Sequence, residues 1–97
     1  MQTVIDLGNR LLREQRYEDG IGVLMRNIEL YPNQPESYWH VGDAYVLSGQ
    51  PAKARSYLVT ALEKARGRGA PDLEDYQESL DDLDAELSER RRDGSDY

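Results

Sequence analysis

The chain matches itself at a displacement of 34 residues: Gly8 falls on Gly42, Leu7 on Val41, Leu11 on Tyr45 and Leu24 on Leu58. Each of these glycines lies inside an apolar pattern of helical spacing, followed by a polar turn and a second such pattern. A two-helix unit repeated at this period cannot bury its apolar face alone, so units stack and share a core. The repeat therefore predicts an all-α helical solenoid and narrows function to binding or assembly.

Four helices are readable up to Arg68. The first runs from about Gln2 to Gln15 and carries Val4, Leu7, Leu11 and Leu12 at three- and four-residue steps. The second runs from about Tyr17 to Leu30 with Ile21, Leu24, Met25 and Ile28, and stops at Tyr31-Pro32-Asn33-Gln34-Pro35. The third starts at Pro35 or Glu36, where proline suits a first helical turn, and runs to Leu47. Ser48-Gly49-Gln50 makes the next turn, and Pro51 opens a fourth helix reaching about Arg66. Gly67-Arg68-Gly69-Ala70-Pro71 then breaks the chain. No segment alternates apolar and polar residues, so no sheet is expected.

A fifth helix differs in length and charge. Asp72 suits its N-cap, Glu74 and Asp75 complement the positive end of the dipole, and Arg90, Arg91 and Arg92 the negative end. Leu73, Tyr76, Leu80, Leu83 and Leu87 form one stripe along it. One reading is a capping helix that closes the solenoid and keeps its acidic face in water. The other is that its last turns overhang the body and meet a second chain through Leu80, Leu83 and Leu87. Residues 93–97 are expected to fray.

At 97 residues with no cysteine, this is one small domain without a disulfide or a thiolate metal site. Residues 71–97 carry 3 basic and 11 acidic side chains, whereas residues 1–70 carry 9 and 8. A near-neutral body joined to an acidic segment offers no basic surface to nucleic acid. No stretch is apolar enough for a membrane span, and the first residues do not read as a signal peptide. A cytoplasmic location is expected, with an exported parent protein left open.

The spacing of these residues resembles the tetratricopeptide repeat (TPR). In a second unit, residues 35–68, Tyr38, Val41, Gly42, Tyr45, Ala54, Leu58 and Ala61 match its motif, with Arg66 where its terminal proline stands. In a first unit, residues 1–34, Val4, Leu7, Gly8, Leu11, Leu24 and Pro32 match, whereas Gly20 and Asn27 replace the usual alanines. Residues 69–92 then supply a linker and the capping helix. The resemblance implies a five-helix TPR solenoid of two units plus a cap. A second resemblance, carried by Leu7-Gly8-Asn9-Arg10-Leu11-Leu12-Arg13-Glu14-Gln15-Arg16-Tyr17 and Asn27-Ile28-Glu29-Leu30-Tyr31-Pro32, is to repeat segments following bacterial serine hydrolases. It implies the non-catalytic tail of a larger enzyme.

The TPR resemblance also implies a concave groove that receives a peptide or partner protein. Carried over position by position, it is lined by Gln2, Ile5, Asp6, Asn9, Leu12 and Arg13, and by Glu36, Trp39, His40, Asp43, Val46 and Leu47. A carboxylate clamp is not expected, because Ile5 stands where its lysine belongs and His40 and Asp43 where asparagines belong. The stripe Tyr38, Val41, Tyr45 faces the core and turns Trp39 toward the groove, beside Ile5. Trp39 is then either an interaction hot spot or packing for the final helix, two roles that overlap.

His40 and Asp43 share a helix face but are too few to hold a metal, and neither a metal nor another cofactor is expected. With Ser37 they also resemble a triad, but one short helix face cannot supply convergent geometry or an oxyanion hole. The expected function is protein or peptide binding, without enzymatic activity. A homodimer assembled through Leu80, Leu83 and Leu87 is the competing reading.

Overall fold

The computed structural model describes residues 3–69 and 73–94, with side chains through residue 89. The helices are α1 (Val4–Arg13), α2 (Tyr17–Leu30), α3 (Pro35–Leu47), α4 (Pro51–Arg68) and α5 (Leu73–Gly94). No strand occurs among the described residues. Gln2, the expected cap Asp72 and the last three residues, 95–97, lie outside the described residues, as do the side chains of Arg90, Arg91 and Arg92. Helix α5 nevertheless continues through Asp93 and Gly94, where fraying was expected to have begun.

Local chemistry sets the boundaries. Helix α1 starts at Val4 instead of Gln2 because Thr3 caps it: the Thr3 hydroxyl accepts from the Asp6 N–H at 3.0 Å, and the Asp6 carboxylate accepts from the Thr3 N–H at 3.3 Å. It stops at Arg13 because Gln15 takes a left-handed conformation, φ 62°. The Arg16 N–H then donates to the Leu11 carbonyl at 2.8 Å, closing a Schellman-type turn. Helix α3 ends in the same way. Gly49 is left-handed, φ 79°, and the Gln50 N–H donates to the Tyr45 carbonyl at 2.8 Å, with every residue number raised by 34. Helix α4 runs two residues past its expected end, since Gly67 remains helical and Gly69, φ 64°, makes the left-handed cap.

Close backbone approach joins each helix pair. A Cβ added at Gly8 would sit 2.6 Å from the Leu24 side chain, and one at Gly42 would sit 2.8 Å from Leu58. The two hairpins α1–α2 and α3–α4 therefore use the same glycine-to-leucine contact. Leu12, Ile21, Leu24, Val41 and Ala44 form one buried cluster across α1, α2 and α3. Leu58, Ala61, Leu62 and Ala65 of α4 form another with Tyr76, Leu80 and Leu83 of α5. Tyr45 packs against both, which makes the core continuous.

Helix α5 corrects one expectation. Leu80 and Leu83 are only 7% and 3% exposed, and Leu87 packs against the same cluster, so the stripe is covered by its own chain and does not overhang as a free seam. An apolar stripe that is less well covered lies on α1 instead. Leu7 is 39% exposed, whereas Val41, 34 residues later, is fully buried beneath α2.

Asn27, which departs from the small residue of the TPR motif, has a structural role. Its side-chain amide donates to the Ser37 hydroxyl at 3.1 Å, and both residues are buried between α2 and α3. Ser37→Ala would leave a buried donor unpaired and is expected to cost about 1–3 kcal/mol in urea unfolding. Gly42→Ala trades a helix-propensity gain of about 0.5–1 kcal/mol against overpacking of about 1–3 kcal/mol, and a net loss of about 1–2 kcal/mol is expected. Gly22 is exposed in α2 with nothing near its missing Cβ, so Gly22→Ala is expected to raise stability by about 0.5–1 kcal/mol in the same assay.

Candidate functional site

Helix α3 has a hollow on each side, and Trp39 lines both. Between α1 and α3 lies a hollow of about 450 Å³ bounded by Asn9, Leu12, Arg13 and Tyr17 on one side and Trp39, His40, Asp43 and Leu47 on the other. Between α3 and α5 lie two smaller ones. The first, about 200 Å³, is bounded by Trp39, Asp43, Val46, Leu58, Ser79, Asp82, Leu83 and Glu86. The second, about 260 Å³, is bounded by Glu36, Trp39, His40, Asp75, Tyr76 and Ser79.

Seven of the expected groove residues, Asn9, Leu12, Arg13, Trp39, His40, Asp43 and Leu47, thus come together around one hollow. Four are placed differently, of which Asp6 closes the cap of α1 and Glu36 borders a hollow between α3 and α5. Ile5 lines a separate hollow with Leu30, Tyr31 and Gln34 and does not stand beside Trp39, because it lies one turn nearer the start of α1. Val46 faces α5 rather than α1, one turn on from Asp43. Leu12 forms a buried floor, while Leu47 on the opposite wall is 54% exposed. An exposed leucine two turns along α3 from a half-buried tryptophan gives that wall of the hollow apolar surface at both ends.

Both expected roles of Trp39 are present. Its indole N–H donates to the Ser79 hydroxyl of α5 at 3.2 Å, and its ring packs against the α4–α5 cluster. The other ring surface remains part of the walls just described. The His40 ring meets Trp39 edge-on, with centroids 5.1 Å apart and planes at 76°. The α5 contribution was missing from the sequence reading, which treated the acidic side of that helix as a wet surface. A signal was there: Asp75, Ser79, Asp82 and Glu86 each precede a member of the apolar stripe Tyr76, Leu80, Leu83 and Leu87 by one residue. A second stripe with the same spacing must run alongside the first. Tyr17 was also missed, since it opens α2 and not one of the helices assigned to the groove.

Partial burial pushes the His40 imidazole below its ordinary value, outweighing the Asp43 and Glu36 carboxylates that pull it up. Burial likewise raises the Asp43 carboxyl, with His40 acting in the opposite sense. Ser37 is turned away from this pair and bonded to Asn27, so the three residues do not converge. Among the described residues, no three His, Cys, Asp or Glu side chains gather to hold a metal ion. Nor is any helix among them long and apolar enough to cross a membrane. Compared with family models, curated proteins and solved structures, the chain matches none of them.

The direction at His40 fixes a pH dependence. Its folded-state value lies below the ordinary 6.5, so the unfolded chain binds the proton more readily. Its contribution to stability is complete above about 6.5 and is lost as pH falls through that value toward the lower folded one. Asp43, with a raised folded value, contributes in the opposite sense, and its effect belongs to more acidic solutions. Urea unfolding at pH 7.5 and 5.5 should therefore show a greater loss on acidification for the wild type than for His40→Gln.

Proposed function

We propose that this chain is a two-unit module of the TPR kind that captures a peptide or an extended partner segment in the groove along α3. The observation that carries the reading is the hollow between α1 and α3, with Trp39 and the exposed Leu47 on one wall and Asn9 and Arg13 on the other. Polar groups that fix orientation, set beside apolar anchors, are what a peptide groove requires. The recurrence of the helix-ending hydrogen bonds and of the glycine-to-leucine contacts at a displacement of 34 residues supports the repeat assignment.

Catalysis finds less support. Ser37, the hydroxyl of the apparent triad, is bonded to Asn27 and does not meet His40 and Asp43, and the hollow is an open trough instead of an enclosed pocket. Burial of Leu80 and Leu83 likewise weakens the homodimer reading, which needed that stripe exposed.

Trp39 is the single tryptophan of the chain and so reports directly on the groove. Peptides selected from a random phage-displayed library on the folded domain are expected to change its emission saturably. Leu47→Gln removes an apolar side chain from an exposed position without adding charge and should leave folding intact, yet weaken those peptides at least tenfold, a loss of about 1.4 kcal/mol. Selected peptides that bind Leu47→Gln as tightly as the wild type would overturn the groove assignment.

A further inference from the structure

The walls of this groove carry an unequal charge. Among the described residues that border the three hollows, the carboxylates of Glu36 and Asp43 of α3 and of Asp75 and Asp82 of α5 stand against one guanidinium, Arg13 of α1. The imbalance lies almost wholly on the α3–α5 side. Apolar surface from Trp39, Tyr76 and Leu83 lies between these carboxylates, so the trough has an apolar floor and an acidic rim.

The first turns of α3 and α5 both border the hollow at Glu36 and Asp75, and helix N-termini favour anions. Each terminus is equivalent to roughly half a positive charge, so two of them cancel only about half of the two carboxylates there. The hollow stays negative. The other hollow between α3 and α5, near Asp82, lies about 10 Å farther along α5, seven residues at about 1.5 Å each. An extended chain covers that distance in about three residues.

We propose that the occupant of the groove is a cationic protein segment, with arginine or lysine side chains about three residues apart seated on either side of Trp39. This rests on the groove reading above and adds the chemistry of the partner. The aliphatic stem of each side chain lies along the indole, and its head reaches Glu36 and Asp75 in one hollow or Asp43 and Asp82 in the other. Trp39 is suited to this role, because its hydrogen bond to Ser79 fixes the ring, and an indole face attracts a cation. Helix α5 is then a recognition wall as well as the cover of the core.

The probe is a short extended peptide of leucine and alanine with arginines three residues apart. It is compared with two counterparts, one with citrulline (a neutral isostere) and one with glutamate at the arginine positions. Trp39 emission reports occupancy, and calorimetry reports total binding. The arginine peptide is expected to bind at least tenfold tighter than either counterpart and to weaken severalfold between 0.1 and 0.5 M NaCl.

Asp75→Asn combined with Asp82→Asn, both exposed positions, should weaken the arginine peptide at least tenfold. Glu78→Gln removes a charge from an exposed α5 position outside the hollows and should change binding less than twofold. Equal binding of the citrulline or glutamate peptide would overturn the cationic assignment and leave the groove reading standing. So would an equal effect of Glu78→Gln, which would reduce the attraction to the general acidity of α5. If no peptide alters Trp39 emission, whether or not calorimetry detects binding elsewhere, the groove reading falls and this inference with it.

Discussion

Two glycines allow α1 to lie against α2 and α3 against α4 at a separation that a larger residue would prevent. The methyl groups of Leu24 and Leu58 occupy the space where a Cβ would stand. At that distance the leucines are almost completely covered, and each hairpin becomes a rigid unit with one geometry. Because both hairpins share it, α3 can bring Val41 and Ala44 down onto α2 while turning Trp39, His40 and Asp43 outward. A wider spacing in either hairpin would rotate or displace α3, and the side chains around the central hollow would no longer meet. The groove is thus a consequence of backbone proximity far beneath it.

Helix α5 serves two purposes by offsetting them one residue apart. Tyr76, Leu80 and Leu83 cover the apolar face of α4, while Asp75, Ser79, Asp82 and Glu86 run along the edge that faces α3. The hydrogen bond from Trp39 to Ser79 ties that edge to α3, and the ion pair between Arg55 and Asp84, 2.7 Å, ties the helix to α4 on another side. The ion pair is half exposed and worth at most about 1 kcal/mol, so leucine and tyrosine burial holds α5 in place. Asp75 and Asp82 border the hollows and can define the character of the groove.

Much of the fold was legible in the sequence because helical period, proline and glycine act locally. All five helices and the turn at Gly49 follow from spacing and from the placement of glycine and proline. What escaped depends on side-chain chemistry or on which neighbour a helix meets. The capping box at Thr3 shortened α1, and Gly67 was read as a breaker although Gly69 takes the left-handed position. Asn27 looked like a departure from pattern because its partner, Ser37, lies on another helix. In the site, the residues of α1 and α3 around the central hollow are among those the TPR resemblance implied, whereas Ile5, Glu36 and Val46 border other hollows, since one turn along a helix decides which hollow is faced. The α5 wall could not be placed, since the stretch joining it to α4 gives no register for how it docks.

The heaviest packing in the molecule joins helices adjacent in sequence, with α1 and α3 touching more lightly. Parts of such a relay open at different free energies, and lifting α5 from α4 would leave the first four helices packed on one another. That motion would pull apart one side of the groove and spare the other. Any ligand seated between Trp39 and Asp82 therefore bridges a seam that the polypeptide itself spans through the Trp39–Ser79 hydrogen bond. At a hundredfold excess over its dissociation constant it would hold that seam shut by about 2.7 kcal/mol. Amide hydrogens of α5 would then exchange more slowly in the occupied protein than in the free one.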